Sequence, residues 1–295
     1  MIKKLLLTSL CWLLLTLPPL YWLNRIASHP REDPIETLTP YLKFLYARDF
    51  RQAYRFISAD DQRLKMANDY VRERRPFSGF TLDVARKLAN RIEVRLLSNQ
   101  LEDARTSVTA FMKLPDANSL AELLLDWDET KLNALSASER KIRLAAIDSL
   151  IARNKLPMIE GEEKFVLVKE GSKWKVFLDW AAGAQVRFAA TLPPGAEIAA
   201  EPLTRQTVAR SGDLFTVGFK VSNPTTKEIV TRIGHRVEPK ELSQYLDLVE
   251  CALLLPVRIL PGETQTYRST YLVRGDLPDG TKRINVTYEF TIENQ

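Results

Sequence analysis

The sequence predicts a transmembrane helix, then an α+β domain, then an all-β sandwich of immunoglobulin-like size. Three observations predict it. An uncharged apolar run opens the chain. Helical periodicity closing on a strong hairpin pattern fills the middle. Short alternating strands separated by turn signals fill the remainder. The corresponding bounds are 1–24 for the anchor, 25–182 for the α+β domain and 183–295 for the sandwich.

The anchor rests on "LLLTSLCWLLLTLPPLYWL", Leu5 to Leu23, which carries no charge. At about 1.5 Å per residue a helix of that length matches the hydrocarbon thickness. A cleavable signal peptide would have a shorter apolar region and a small-residue cleavage site, whereas Arg25 stands two positions before Ala27. Bulky Leu10 before Cys11 also argues against a lipoprotein site. Trp12, Tyr21 and Trp22 suit the membrane interface, and Pro18-Pro19 kinks the last turn. Lys3 and Lys4 favour an N-terminus inside, against Arg25 and Arg31 on the other side.

A polar linker, "RIASHPREDPIETLTP", leads into two or three helices on which Tyr41, Phe44 and Leu45 share a face. "RIEVRLL" alternates Ile92, Val94 and Leu96, and "RTSVTAFMKL" has strand composition, which predicts adjacent strands. Ser136 with Glu139 forms a capping box before a helix whose inner face is Leu144, Ile147 and Ile151. "EKFVLVKEGSKWKVFLDW" predicts a hairpin. Phe165 and Leu167 alternate before the turn, and Trp174, Val176, Leu178 and Trp180 after it.

Beyond Gly183 the stretch "AATLPPGAEIAAEPLTRQ" reads as a linker. Three strands follow, each with one apolar face: Phe215, Val217, Phe219 and Val221; Tyr267, Ser269, Tyr271 and Val273; Ile284, Val286, Tyr288, Phe290 and Ile292. "SNPTT", "LPGE" and "LPDG" supply turns.

Composition is that of a folded chain, with 45% hydrophobic and 27% charged residues. Lys and Arg number 42 against 37 Asp and Glu, a net charge of +5. No dense basic block with interleaved aromatics occurs. Runs such as "VRERRP" read as solvated helix faces near an anionic membrane, and nucleic acid is not an expected partner. Two cysteines, Cys11 and Cys251, exclude a disulfide framework.

The middle domain resembles, by its leading helices and closing hairpin, the nuclear-transport-factor-2-like group of cone-shaped α+β domains. The resemblance implies a cone-like fold, and some members are enzymes using a pocket Asp/His pair. No histidine lies between His29 and His235, so that chemistry has no matching residues. Asp126, Asp128 and Asp179, each close to a tryptophan, are candidates for an acidic base; an adaptor or spacer domain is the competing reading. No nucleophile or phosphate-loop motif accompanies them, and no enzyme activity is expected.

"NPTTKEIVTRIGHRVEP", Gln244-Tyr245, Cys251, "LPGE" and the closing "INVTYEF" resemble the copper-delivering cytochrome c oxidase assembly protein family of the CtaG type. The resemblance covers the anchor and roughly residues 185 to 293. It implies a single-pass inner-membrane protein whose soluble domains face the periplasm or intermembrane space. It also implies Cu(I) held by two thiolates of a Cys-Phe-Cys-Phe strand for insertion into oxidase subunit I. The partners it implies are that subunit or other assembly factors, and a second copy in a homodimer.

Here Cys251 takes the first cysteine position and Leu253 the second. The family's cysteine just beyond the anchor has no counterpart, and His29 lies in that neighbourhood. His235 falls where the family is usually aromatic, so it is expected as an exposed or hydrogen-bonded residue. Two readings of Cys251 lead, a metal site completed by Cys251 of a second copy or a small residue packed in a strand; a redox thiol is the weaker third, with no second cysteine or cationic cluster nearby. The "LLLP" run that follows is expected to contribute to a partner or dimer surface.

Overall fold

In a computed structural model, residues 33–251, 256–275 and 277–293 are described. Pro34–Gln295 forms one compact unit, apart from Met1–Asp33. The expected anchor, with Cys11 and His29, lies outside the described residues, as does most of the "LLLP" run. Among the described residues no helix is long and apolar enough to cross a membrane.

Helices come first. They are α1 (Pro34–Tyr46), α2 (Phe50–Tyr54), α3 (Ala59–Leu64), α4 (Ala67–Arg74) and α5 (Gly79–Ala89). α1 opens on proline, whose fixed φ and missing N–H suit a first turn. Its Leu38 and Tyr41 are buried, with Phe44 and Leu45 partly so, as the spacing predicts. Two further helices, α6 (Glu129–Ala134) and α7 (Ala137–Ala152), come after the first two strands. The capping box is present: the Ser136 side chain accepts from the Glu139 N–H, and the Glu139 carboxylate accepts from the Ser136 N–H. Ile147 is fully buried, with Leu144 and Ile151 packed beside it.

Strands β1 (Glu93–Glu102), β2 (Arg105–Pro115), β3 (Met158–Glu170) and β4 (Lys173–Val176) form an antiparallel sheet in sequence order. Gly171, at φ 61°, takes the left-handed turn position between β3 and β4. Trp174 and Val176 point inward as expected, but the strand then stops, and Leu178 and Trp180 do not continue its alternation. The cause is Asp61, only 1% exposed, whose carboxylate accepts from Leu178 N–H and Trp180 N–H, each at 2.8 Å. These bonds draw the chain off the ladder, with Asp179 at φ 53°, and Trp180 reaches the core from a 3-10 turn.

The C-terminal part is a β-sandwich. One sheet runs β10–β12–β8–β6, built from Leu246–Cys251, Thr264–Val273, Leu214–Ser222 and Ala199–Pro202. The other runs β11–β9–β13–β5–β7, built from Val257–Ile259, Ile229–Glu238, Arg283–Glu293, Ala184–Thr191 and Gln206–Ala209. A shared core lies between them: Phe219 and Tyr288, from opposite sheets, meet with tilted rings whose centroids are 4.0 Å apart. The predicted apolar faces of the three strands are buried, with Ile292 at the margin.

The expected linker after Gly183 is instead structural. β5 pairs in parallel with β13, and β6 and β7 edge the two sheets. Val186 and Phe188 face inward just before the run, and within it, where prolines and glycine had marked loop, Ile198 is buried and β6 pairs with β8. Gly183 has no room for a side chain, since a Cβ there would lie 2.6 Å from the Ala209 carbonyl oxygen. On β8 both faces are covered: Thr216 and Gly218 are buried as well as the apolar set. α4 packs against that outer face, so the sheet does not turn one clean side to water.

Candidate functional site

Cys251 is the last residue of β10, an edge strand of the four-stranded sheet. Simple alternation from Leu246 and Leu248 would turn Glu250 inward. A bulge between Leu248 and Glu250 intervenes, so that Leu248 opposes Tyr271, Glu250 opposes Thr270 and Cys251 opposes Ser269. The extra residue, Val249, is exposed. Glu250 is thereby carried to the outer face and Cys251 to the core side, where it packs half-buried at the edge of the sandwich core. It is neither sealed nor fully open.

The thiol Sγ lies 3.5 Å from the Ser269 hydroxyl. Tyr271, two residues on along β12, meets Tyr288 of β13 through hydroxyl oxygens 2.5 Å apart, a bond that ties one sheet to the other. Burial raises the Tyr271 hydroxyl far above its ordinary range, reinforced by the adjoining Tyr288. Burial likewise pushes Tyr288 up to about 12, with Ser269 and Tyr271 hydrogen bonds partly opposing it. A charge on Cys251 is felt by both tyrosines, so sulfur and phenols form one electrostatic cluster.

His235 on β9 stands opposite Tyr288 in the strand register, its ring centroid 6.1 Å from Tyr271 and 6.3 Å from Tyr288. It is exposed, as expected, yet the surrounding protein excludes enough water from the ring to lower its pKa. Among the described residues no three His, Cys, Asp or Glu side chains gather as a metal-ligand group. The local donor set for a soft ion is one sulfur with hydroxyls around it.

The three aspartates do not converge on one site. Asp128 caps α6 by accepting from Lys131 N–H, Asp126 sits in a 3-10 turn at φ 57°, and Asp179 faces Arg210 at 3.9 Å. The Ser269–Tyr271–Tyr288 cluster is the feature sequence reading passed over. Its signal was a serine among aromatics on an inward-alternating strand.

A two-sheet sandwich with a thiol at the end of an edge strand, preceded by helices and a separate antiparallel sheet, is the class that fold and site define. Residues 161–292 match the family described as cytochrome c oxidase assembly protein CtaG/Cox11, and the C-terminal domain resembles that family. The match supports a role in cytochrome c oxidase assembly. It begins within β3, upstream of the expected start near 185, and does not include the N-terminal run. Among solved structures, the ASH / PapD-like domain of human CEP192 (PapD-like domain 7) is 14% identical over 36% of this chain and 92% of that one, at a TM-score of 0.21. Salmonella alpha-2-macroglobulin reacted with methylamine is 10% identical over 68% of this chain and 16% of that one, also at 0.21. No curated protein matches the chain.

Proposed function

We propose that the protein is a membrane-anchored cytochrome c oxidase assembly factor that carries Cu(I) on Cys251 and delivers it to oxidase subunit I. Residues 1–24 would hold it in the inner membrane, with the α+β domain (25–182) and the sandwich (183–295) in the periplasm. The observation that carries the copper step is the placement of Cys251, half-buried at the end of an edge strand within the residues that match the assembly family.

Cu(I) is a soft ion that favours thiolate ligands, and one sulfur leaves it under-coordinated. A homodimer supplies the second Cys251. Each thiol then gives up its proton as a Cu–S bond forms, and the ion keeps its oxidation state throughout. Delivery is ligand exchange: an acceptor ligand on the oxidase bonds to copper as one Cys251 sulfur leaves and takes back a proton.

The test is metal analysis of the reduced full-length protein in detergent, beside Cys251→Ser. One copper per two chains, absent from the variant, is the expected result. Equal copper in both proteins sinks the copper step. A second reading, a copper-free scaffold of the same ancestry, is favoured by Leu253 at the second cysteine position and by the Cys251–Ser269 contact. Oxidase subunit I retained by a copper-free Cys251→Ser protein that still supports oxidase assembly identifies that case.

A further inference from the structure

On the outer face of the four-stranded sheet, away from the thiol, the helices leave a cleft of about 460 Å³. Its walls come from α1, α4 and strands β8, β10 and β12. Three arginines line it: Arg48, Arg74 and Arg75. The carboxylates beside them are engaged. Glu73 pairs with Lys65 at 2.9 Å, Glu250 pairs with Arg75, and Asp213 accepts from the Arg210 N–H at 3.0 Å.

The other two guanidiniums are not neutralised in this way. Arg48 lies 4.6 Å over the Phe77 ring and Arg74 lies 4.5 Å over the Tyr70 ring, and among the described residues neither forms an ion pair. Stacking on a ring face leaves the N–H edge of a guanidinium open to a planar oxyanion; Arg74 gives one Nη1–H to the Leu214 carbonyl at 3.3 Å, and its Nε–H is left over.

Two adjacent residues sharpen the ligand chemistry. Glu73 is 2% exposed, and its Oε1 has no hydrogen-bond partner; the buried Arg74 Nε–H has none either. Buried polar atoms are almost always satisfied. An acceptor is therefore owed a donor, and one residue along a donor is owed an acceptor. A carboxylate beside a peptide N–H answers both.

We propose that this cleft binds an acidic peptide segment of a partner protein, its carboxylate held by Arg48 and Arg74 and a backbone N–H donated to Glu73 Oε1. The arginines and Glu73 precede residue 161, while the facing wall from β8, β10 and β12 lies within the region matching the assembly family. The site is independent of copper, since Glu250 turns to the cleft and Cys251 to the core.

The test is calorimetric titration of the full-length protein in detergent. The probes are acetyl-Ala-Leu-Asp-Leu-Ala-amide, the same peptide with Asn for Asp, and N-acetylaspartate. Saturable binding of the Asp peptide is expected, at least tenfold tighter than either other probe. Arg74→Gln should weaken it at least tenfold, with partial recovery in Arg74→Lys. Leu214→Trp, at the half-exposed rim, should abolish it and carries the test alone if Arg74→Gln does not fold. Equal binding of the Asn peptide, indifference to these substitutions, or no saturation up to roughly 10 mM overturns the site. N-acetylaspartate binding as tightly as the peptide overturns the protein partner in favour of a small carboxylate. None of these outcomes bears on copper at Cys251.

Discussion

Cys251 and Ser269 face one another across β10 and β12, Sγ to Oγ at 3.5 Å, because the bulge at Val249 moves the strand register by one residue. Were the same residues paired without the bulge, Glu250 would stand opposite Ser269 where the sulfur does. The thiol is therefore held by the ladder, at a sheet edge.

Cys251→Ser is expected to leave the fold intact. The side chain is half-buried and the replacement is close in size, so its cost should stay below about 1.5 kcal/mol. Urea unfolding at neutral pH under reducing conditions measures it. A loss above about 3 kcal/mol would assign the residue to the core and remove the basis for a metal role.

The Tyr271–Tyr288 pair should make the sandwich sensitive to alkali. Both phenols have folded-state pKa values above the ordinary 10.0, Tyr288 at about 12. A raised folded pKa means that the stabilisation is complete below pH 10 and is lost as pH rises through about 12 for Tyr288. Each tyrosine contributes a slope of about 1.4 kcal/mol per pH unit in that window. Urea midpoints from pH 9 to 11.5 should fall, and Tyr288→Phe should flatten the decline. At neutral pH, Tyr271→Phe should cost about 1 kcal/mol, with the double phenylalanine variant milder than the sum of the singles.

Asp61→Ala should be among the most damaging single changes in the α+β part. Its carboxylate accepts from the Ser58 hydroxyl at 2.6 Å and from two backbone N–H groups at the end of the β3–β4 hairpin. Removing it strands buried donors at about 1–3 kcal/mol each. Thermal melting should fall by several degrees and Trp180 fluorescence should change. A melt within one degree of wild type would mean that water replaces the carboxylate.

Lys65→Met should destabilise by about 3–5 kcal/mol, because the Glu73 carboxyl would be left buried without its partner. Lys65→Met combined with Glu73→Leu should recover most of that loss, since both charges leave the interior together. The two chemical denaturation curves decide it, and a double variant no better than the single one would refute the pairing.

Much of this was legible along the chain. Periodicity placed the helix with its Ser136–Glu139 box, the three inward faces of the sandwich and the β3–β4 turn, because local spacing alone fixes which side chains can share a face. The resemblance carried by Asn223 to Glu263 points to the assembly family from sequence alone. "VRERRP" illustrates what local reading misses: Glu73 within it is buried against Lys65, and Arg74 and Arg75 line a cleft, where a solvated face was expected.

The sequence by itself determined the order of helices and strands, the apolar faces and the identity of the single sulfur in the family-like segment, since these depend on neighbours a few residues away. Tertiary structure alone decided that β5 joins β13 in parallel, that Asp61 ends a hairpin more than a hundred residues distant, and that Cys251 rather than Glu250 turns to the core. Each of those outcomes depends on hydrogen bonds between segments far apart in the chain, and no local pattern encodes which distant groups will meet.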